Sequence, residues 1–145
     1  MPTSLEERFA TALHSTARAW RLALDRRLKD LGLSQAGWMT VAMAARAPEP
    51  LSQIELAQRL GVEGSTMVAM IDRLMKTGLL ERQPSPTDRR VRLIVLTESG
   101  NELYGHVKTK AEAFRKELMA DMDAEKLRIA TELLERIEQM ASAAT

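Results

Sequence analysis

The 145-residue sequence contains no cysteine. This absence excludes disulfide bonds, thiolate metal sites, a cysteine nucleophile and redox sensing through thiols. Aromatic residues are also scarce, with two Trp, two Phe and one Tyr, whereas apolar residues of all kinds make up 45% of the chain. The core must therefore be built mainly from aliphatic residues and methionine, and this composition favours helices in a single domain.

Long hydrophobic runs are absent as well. The longest apolar runs are five residues, at 41–45 and 67–71, whereas a membrane-spanning helix needs about 20. The amino terminus carries Glu6 and Glu7, where a secretory signal would carry positive charge. We therefore expect a cytoplasmic protein that makes no contact with a membrane.

Motifs of enzymes are missing too. The sequence has no glycine-rich phosphate loop and no metal-binding motif, and its two histidines, His14 and His106, lie far apart on predicted helices. Asp121 and Asp123 stand together at a predicted helix start, where carboxylates complement the helix dipole. We expect neither catalytic activity nor a metal or cofactor requirement.

Helical periodicity dominates both ends of the chain. Apolar residues recur every three or four positions over about 5–31, after Thr97, and over about 123–141, which predicts long helices. The first helix has two apolar rows, and the last has a seam typical of helix-to-helix packing. Because a chain this small cannot bury all these rows alone, we expect a homodimer. Its predicted interface includes Phe9, Leu13, Phe114, Leu118, Leu127, Leu134 and Ile137.

The middle of the chain predicts a helix-turn-helix. Ser52 and Glu55 have the spacing of a capping box, and Gly61 can end the short helix that follows. A second helix is predicted over about 63–77. The inner faces are assigned to Ile54, Leu56, Ala57 and Leu60 in the first helix and to Met67, Ile71 and Leu74 in the second. The outer face of the second helix then carries Ser65, Thr66, Ala69 and Arg73.

A hairpin follows the second helix. Beyond Gly78 the period changes from 3.6 to 2, which predicts strands over 80–83 and 91–96. The net charge is only +1, yet positive charge is concentrated at the turn of this hairpin, where Arg89, Arg90 and Arg92 lie beside Asp88. The predicted fold is therefore mainly α with a small β-hairpin wing: a winged helix-turn-helix with long N- and C-terminal dimerisation helices.

Each part of a winged helix-turn-helix has a physical task on B-DNA. The second helix fits the major groove, where hydroxyls at its start reach base edges or phosphates. Arg90 on the narrow wing is predicted to enter the minor groove, held by a paired hydrogen bond that it donates to Asp88, while its neighbours neutralise phosphates. The predicted DNA contacts are Gly64, Ser65, Thr66, Ala69, Arg73, Asp88, Arg89, Arg90 and Arg92. The structural alternative is that Ser65 and Thr66 merely cap the helix and that the arginines form a solvated turn.

A ligand pocket is a further hypothesis. Side chains that could line a site for an aromatic ligand are His14, Trp20, Trp38, Met39 and Met43, since methionine adapts to loosely specific ligands. Residues at helical spacing are more often plain core, and a lone helical histidine is more often a surface residue.

The sequence resembles the MarR family of bacterial winged-helix regulators, and more closely its SlyA-like branch. The resemblance covers nearly the whole chain and is carried by these segments: SQIELA at 52–57, GVEGST at 61–66, DRL at 72–74, GLLER at 78–82, DRR at 88–90, LT at 96–97, and Gly100. It implies a single domain over 1–145, in which dimerisation helices at 1–33 and 98–145 flank a DNA-binding lobe at 34–97. It also implies a palindromic operator that spans two major grooves one helical turn apart, and a cleft where small aromatic or phenolic anions relieve repression.

Two positions depart from the pattern of the family. Ala69 stands where many SlyA-like relatives have an arginine, which removes a contact with guanine, and Val91 replaces a small alanine. The predicted function is a sequence-specific, ligand-responsive repressor that binds double-stranded DNA as a homodimer. Two alternatives stay open: a winged-helix module that binds protein, and a DNA-binding regulator that responds to no ligand.

Overall fold

The computed structural model describes residues 2–144, a mainly helical chain with one small sheet. In chain order the elements are α1 at Leu5–Leu28, α2 at Gln35–Arg46, β1 at Leu51–Ser52, α3 at Gln53–Leu60, α4 at Gly64–Lys76, β2 at Leu80–Pro84, β3 at Arg92–Leu96, α5 at Glu98–Met119 and α6 at Ala124–Ala143. This order confirms the predicted fold class. Within residues 2–144, no helix combines the length and the apolar character needed to cross a bilayer.

Local chemistry sets the helix boundaries. At the start of α3, the Ser52 hydroxyl accepts a hydrogen bond from the Glu55 backbone N–H, and the Glu55 carboxylate accepts one from the Ser52 N–H, both at 3.1 Å. The predicted capping box is therefore present. The first helix ends at Leu28, three residues earlier than predicted, because a 3-10 turn follows it before Gly32, whose φ is 76°.

The sheet has three antiparallel strands in the order β1-β3-β2. Strands β2 and β3 form the predicted hairpin, with Leu80 opposite Leu96. The short strand β1 was not predicted, because two residues carry no readable period. It becomes a strand only where Leu51 pairs with Ile94, and this pairing attaches the chain segment before α3 to the hairpin.

The core of the winged helix-turn-helix lies among α2, α3, α4 and the sheet. Its buried residues are Val41, Leu51, Leu56, Ala57, Met67, Met70, Ile71, Leu74, Leu80 and Ile94. The predicted inner faces of α3 and α4 are confirmed with one exception. Placing Ile54 on the inner face of α3 was wrong, since its side chain is 71% exposed. It belongs to the first turn of α3, beyond the edge of this core.

The chain divides into two compact units between Glu112 and Ala113, inside α5. The first unit contains the core and the sheet. The second contains the end of α5 and the whole of α6, and no residue of α6 is buried.

The start of α5 is bonded to the turn that follows α4. The Thr97 backbone N–H donates to the Leu79 carbonyl at 3.1 Å, and its hydroxyl donates to the Gly78 carbonyl. The same hydroxyl accepts from the Gly100 N–H at 3.0 Å, so Thr97 caps α5. A Cβ added at Gly100 would overlap the Leu79 carbonyl oxygen. Only glycine therefore lets α5 begin this close to the turn.

We expect Gly100→Ala to lower the free energy of unfolding by about 1–3 kcal/mol, because the added methyl group must displace backbone atoms. The matched control is Gly105→Ala on the same helix, where an added Cβ meets nothing within 4 Å. That substitution should raise the free energy of unfolding by up to about 1 kcal/mol, since alanine forms helix better than glycine. Denaturant unfolding measures both, and equal stability of the two variants would show that the close approach constrains nothing.

Candidate nucleic-acid interface

Helix α4 has one face anchored in the core and one face in solvent. Met67, Met70, Ile71 and Leu74 are buried. The residues predicted for the outer face are all exposed: Gly64, Ser65, Thr66, Ala69 and Arg73. Because the buried side chains interlock with the core, they fix the rotation of α4 about its axis and hold the outer face in solvent.

The start of α4 is not closed by a side chain. Glu63 occupies the N-cap position and makes no side-chain capping bond, while Ser65 and Thr66 are the second and third residues of the helix. Neither hydroxyl therefore acts as the N-cap, which was the structural alternative for these two residues. The uncapped first turn presents backbone N–H groups and the positive end of the helix dipole, an arrangement that favours a phosphate.

Short-range hydrogen bonds build the tip of the wing, residues 85–91. The Ser85 N–H donates to the Val91 carbonyl at 3.1 Å, and the Val91 N–H donates to the Asp88 carbonyl at 3.1 Å. The Ser85 hydroxyl accepts from the backbone N–H groups of Thr87 and Asp88 at 3.2 and 3.3 Å. These bonds give Asp88 a defined position at the turn.

Asp88 contacts Arg90 as predicted, although the geometry differs from the expected one. A single carboxylate oxygen, Oδ1, accepts from both the Arg90 backbone N–H at 3.0 Å and Arg90 Nε at 3.4 Å. In place of the expected paired bond to the guanidinium, this oxygen accepts one bond from the backbone and one from the side chain of Arg90. The Arg90 side chain remains 92% exposed, so its guanidinium projects from the tip.

Arg89 and Arg92 add to the positive charge of the tip. Both are exposed, and Arg92 Nη1 donates to the Arg89 carbonyl at 2.9 Å. Together with Arg90 they give residues 85–92 three arginines and one carboxylate, that of Asp88. This local excess of positive charge attracts polyanions.

A set of contacts that was not predicted joins the wing to both helices of the helix-turn-helix. Arg82 on β2 donates through Nη2 to Asp72 Oδ1 on α4 at 2.7 Å, and through Nε to the Gln53 amide oxygen on α3. The sequence did carry a signal for these contacts, namely the alternation of side chains between the two faces of a strand. Arg82 lies two residues after the buried Leu80, and a charged side chain on the inward side of a strand requires polar partners.

The predicted ligand residues are distributed over α1 and α2. Trp38 is buried, and its Nε1 donates to Asp25 Oδ1 at 3.0 Å. Met43 packs against the core. On α1, His14 is exposed and Trp20 is half-buried. None of these four residues lines the cavity between α2 and α4.

Met39, the fifth predicted ligand residue, lines a cavity of about 130 Å³ between α2 and α4. The cavity is mainly apolar, and its lining also includes Gln35, Leu60, Thr66 and Met70. Thr66 thus borders this cavity while lying at the start of the exposed face of α4.

The residues predicted for a dimer interface are distributed over α1, α5 and α6. Six of them are at least partly exposed in the single chain: Phe9, Leu13, Leu118, Leu127, Leu134 and Ile137. Phe114 differs, since it is only 4% exposed. The single chain already buries this ring, so it offers almost no surface to a partner.

Comparison with known proteins places this geometry in a family. The model of the MarR family matches residues 31–91. The solved structure of the transcriptional regulator PA3341 is 38% identical in sequence, covers 93% of this chain and 98% of that chain, and superposes with a TM-score of 0.86.

Two further solved structures share the fold at lower identity. A MarR-family regulator from Rhodococcus sp. RHA1 is 23% identical over 94% of this chain and 96% of that one, with a TM-score of 0.80. CouR from Rhodococcus jostii RHA1, solved bound to p-coumaroyl-CoA, is 24% identical over 94% and 95%, with a TM-score of 0.79.

Regulators of this family are generally non-enzymatic proteins that bind DNA. The winged helix-turn-helix, the family match over 31–91 and the similarity to PA3341 along nearly the full length lead to one assignment. The chain belongs to the MarR family of DNA-binding transcriptional regulators.

Proposed function

We propose that this chain is a homodimeric repressor that reads a palindromic operator with α4 in the major groove and the wing in the neighbouring minor groove. The observation that carries the proposal is that the outer face of α4 and the Arg90 guanidinium are both exposed while Arg82 and a common core join the elements that bear them. The proposed contacts are Gly64, Ser65, Thr66, Ala69 and Arg73 on α4, and Asp88, Arg89, Arg90 and Arg92 on the wing.

Dimer formation is supported by α6. This helix of 20 residues buries none of them in the single chain, and it exposes Ile129, Leu133, Leu134 and Met140. A helix gains most of its stability in a protein from burying an apolar face, so α6 requires a partner surface. Members of the family act as dimers, and we assign the contact to the predicted dimerisation regions, 1–33 and 98–145.

The symmetry of the operator follows from that of the dimer. A two-fold dimer presents two copies of α4, which reach successive major grooves when their separation matches one helical turn of DNA. An operator with inverted repeats satisfies both copies at once. A dimer bound in this way over a promoter would block access of the polymerase, which is the basis of the proposed repression.

Support for an effector comes from the cavity between α2 and α4. A small aromatic or phenolic molecule bound there would contact Thr66 and Met67 of α4, the helix proposed to enter the major groove. It could change DNA affinity only if it bound one relative arrangement of the dimer's two DNA-binding lobes better than another. A regulator without an effector is the alternative, and thermal unfolding with and without millimolar aromatic acids separates the two.

Arg90→Ala tests the wing directly. We expect it to weaken operator binding by about 1–3 kcal/mol, because the guanidinium that enters the minor groove is lost. Arg46→Ala, at the exposed end of α2, is the matched control and should bind as the parent chain does. Fluorescence anisotropy measures both affinities, and unchanged affinity of Arg90→Ala would remove the wing from the mechanism.

The salt dependence of binding separates DNA binding from protein binding. The affinity of the parent chain for the operator, measured by fluorescence anisotropy, should fall as salt is added, with its logarithm linear in the logarithm of salt concentration. An affinity that does not change with salt would favour a protein-binding module.

For Asp88→Ala, we expect a change in operator affinity opposite in direction to the one that the change in charge alone predicts. Removing a negative charge beside DNA should tighten binding by Coulomb attraction alone. We expect weaker binding instead, by about 3- to 10-fold, because Arg90 loses both bonds that order it and must then be immobilised on the DNA. In an Arg90→Ala background the same substitution should no longer weaken binding. Tighter binding of the single variant would show that Asp88 does not position Arg90.

A further inference from the structure

The outer face of α4 offers a narrow choice of chemical groups to a base edge. The exposed residues of its first two turns are Gly64, Ser65, Thr66, Val68 and Ala69. In this stretch, which the structure describes in full, there is no guanidinium, ammonium or carboxamide group. The charged side chains Asp72, Arg73 and Lys76 all come in the last turns, towards the carboxyl end of the helix.

The major-groove code limits what such a surface can distinguish. Guanine is recognised in pairs of hydrogen bonds by Arg or Lys, and adenine by Asn or Gln. Cytosine donates to a carboxylate, but the first two turns of α4 contain none: Glu63 precedes the helix at the N-cap, and Asp72, in a later turn, already bonds Arg82 through Oδ1 at 2.7 Å. Hydroxyl groups bond to several bases and therefore discriminate little. Within these first two turns, the remaining groups that can discriminate are the methyl groups of Thr66, Val68 and Ala69.

We infer that α4 reads the C5-methyl groups of thymine, so that the operator half-site is defined by A·T pairs facing Val68 and Ala69. The inference rests on the proposed binding of DNA through α4. Among the four natural bases, only thymine presents an apolar group in the major groove. The Val68 side chain is 39% exposed, and contact with a thymine methyl removes both apolar surfaces from water.

The wing favours the same base pairs by a different mechanism. Arg90 projects from the tip with a 92% exposed side chain. Narrow minor grooves, which occur in A-tracts, carry an enhanced negative potential that attracts arginine. The two DNA-contacting elements thus select A·T pairs together, one through methyl contacts and the other through the potential of the groove.

The experiment compares thymine with deoxyuridine. A duplex is first selected from a random pool with the intact chain at one fixed salt concentration, and each thymine is then replaced by deoxyuridine in symmetry-related pairs. Deoxyuridine pairs with adenine in the same way and lacks only the C5-methyl group. We expect one or two positions per half-site to lose affinity by about fourfold for each methyl group removed, and the other positions to lose none.

Two variants connect that loss to individual side chains. In Val68→Ala, the effect of deoxyuridine at the position facing Val68 should fall below about twofold, because the contact is already absent. Thr66→Ser removes a methyl group and keeps the hydroxyl. It should likewise reduce the effect of deoxyuridine at the position that faces residue 66. Thr109→Ser is the matched control, since Thr109 is exposed on α5 and its hydroxyl donates to the Gly105 carbonyl. It should retain the parent deoxyuridine profile.

The possible failures are distinguishable. If no duplex is enriched over the pool, the proposed function and this inference both fail. If a duplex is enriched and deoxyuridine leaves its affinity unchanged at every position, DNA binding stands and the methyl readout is wrong. Enrichment of half-sites defined by G·C pairs beneath α4 would overturn the inference in the same way.

Discussion

The burial of one face of α4 is the constraint on which the rest of the DNA-binding lobe depends. Met67, Met70, Ile71 and Leu74 enter the core between α2, α3 and the sheet. Each side chain of this size contributes about 1.5–3 kcal/mol when it is fully buried, so a rotation of α4 that exposed them would cost more than the outer face could gain from any single contact. The core thus determines which residues α4 presents, and only small and hydroxyl-bearing residues stand at its exposed start.

The wing depends on that core through its inner strand and through one arginine. Ile94 of β3 is buried and pairs with both neighbouring strands, while Arg82 of β2 bonds to α3 and α4. Beyond this anchored base, the tip is held by its own backbone bonds and by Asp88. The fold therefore combines a fixed helix with a hairpin whose terminal guanidinium is restrained by one carboxylate.

Periodicity was sufficient to predict α3, α4 and the hairpin, because each has buried residues on one face. It failed where burial depends on distant parts of the chain. Strand β1 exists only because Leu51 meets Ile94, and Ile54 has helical spacing to the core but lies beyond its edge. Asp88 could be predicted as a partner of Arg90 from proximity in sequence, whereas Arg82 bonds to partners 10 and 29 residues away. The candidate ligand residues followed composition and helical spacing, and neither specifies which side chains share a cavity.

The central claim is that two copies of this chain place two identical reading surfaces on one face of the duplex. Hydroxyl-radical footprinting of the purified chain on its selected operator tests this claim most directly. The account predicts two equivalent protected regions related by a two-fold axis, with their centres about one helical turn apart. Protection of a single half-site, or of a continuous stretch without symmetry, would contradict it.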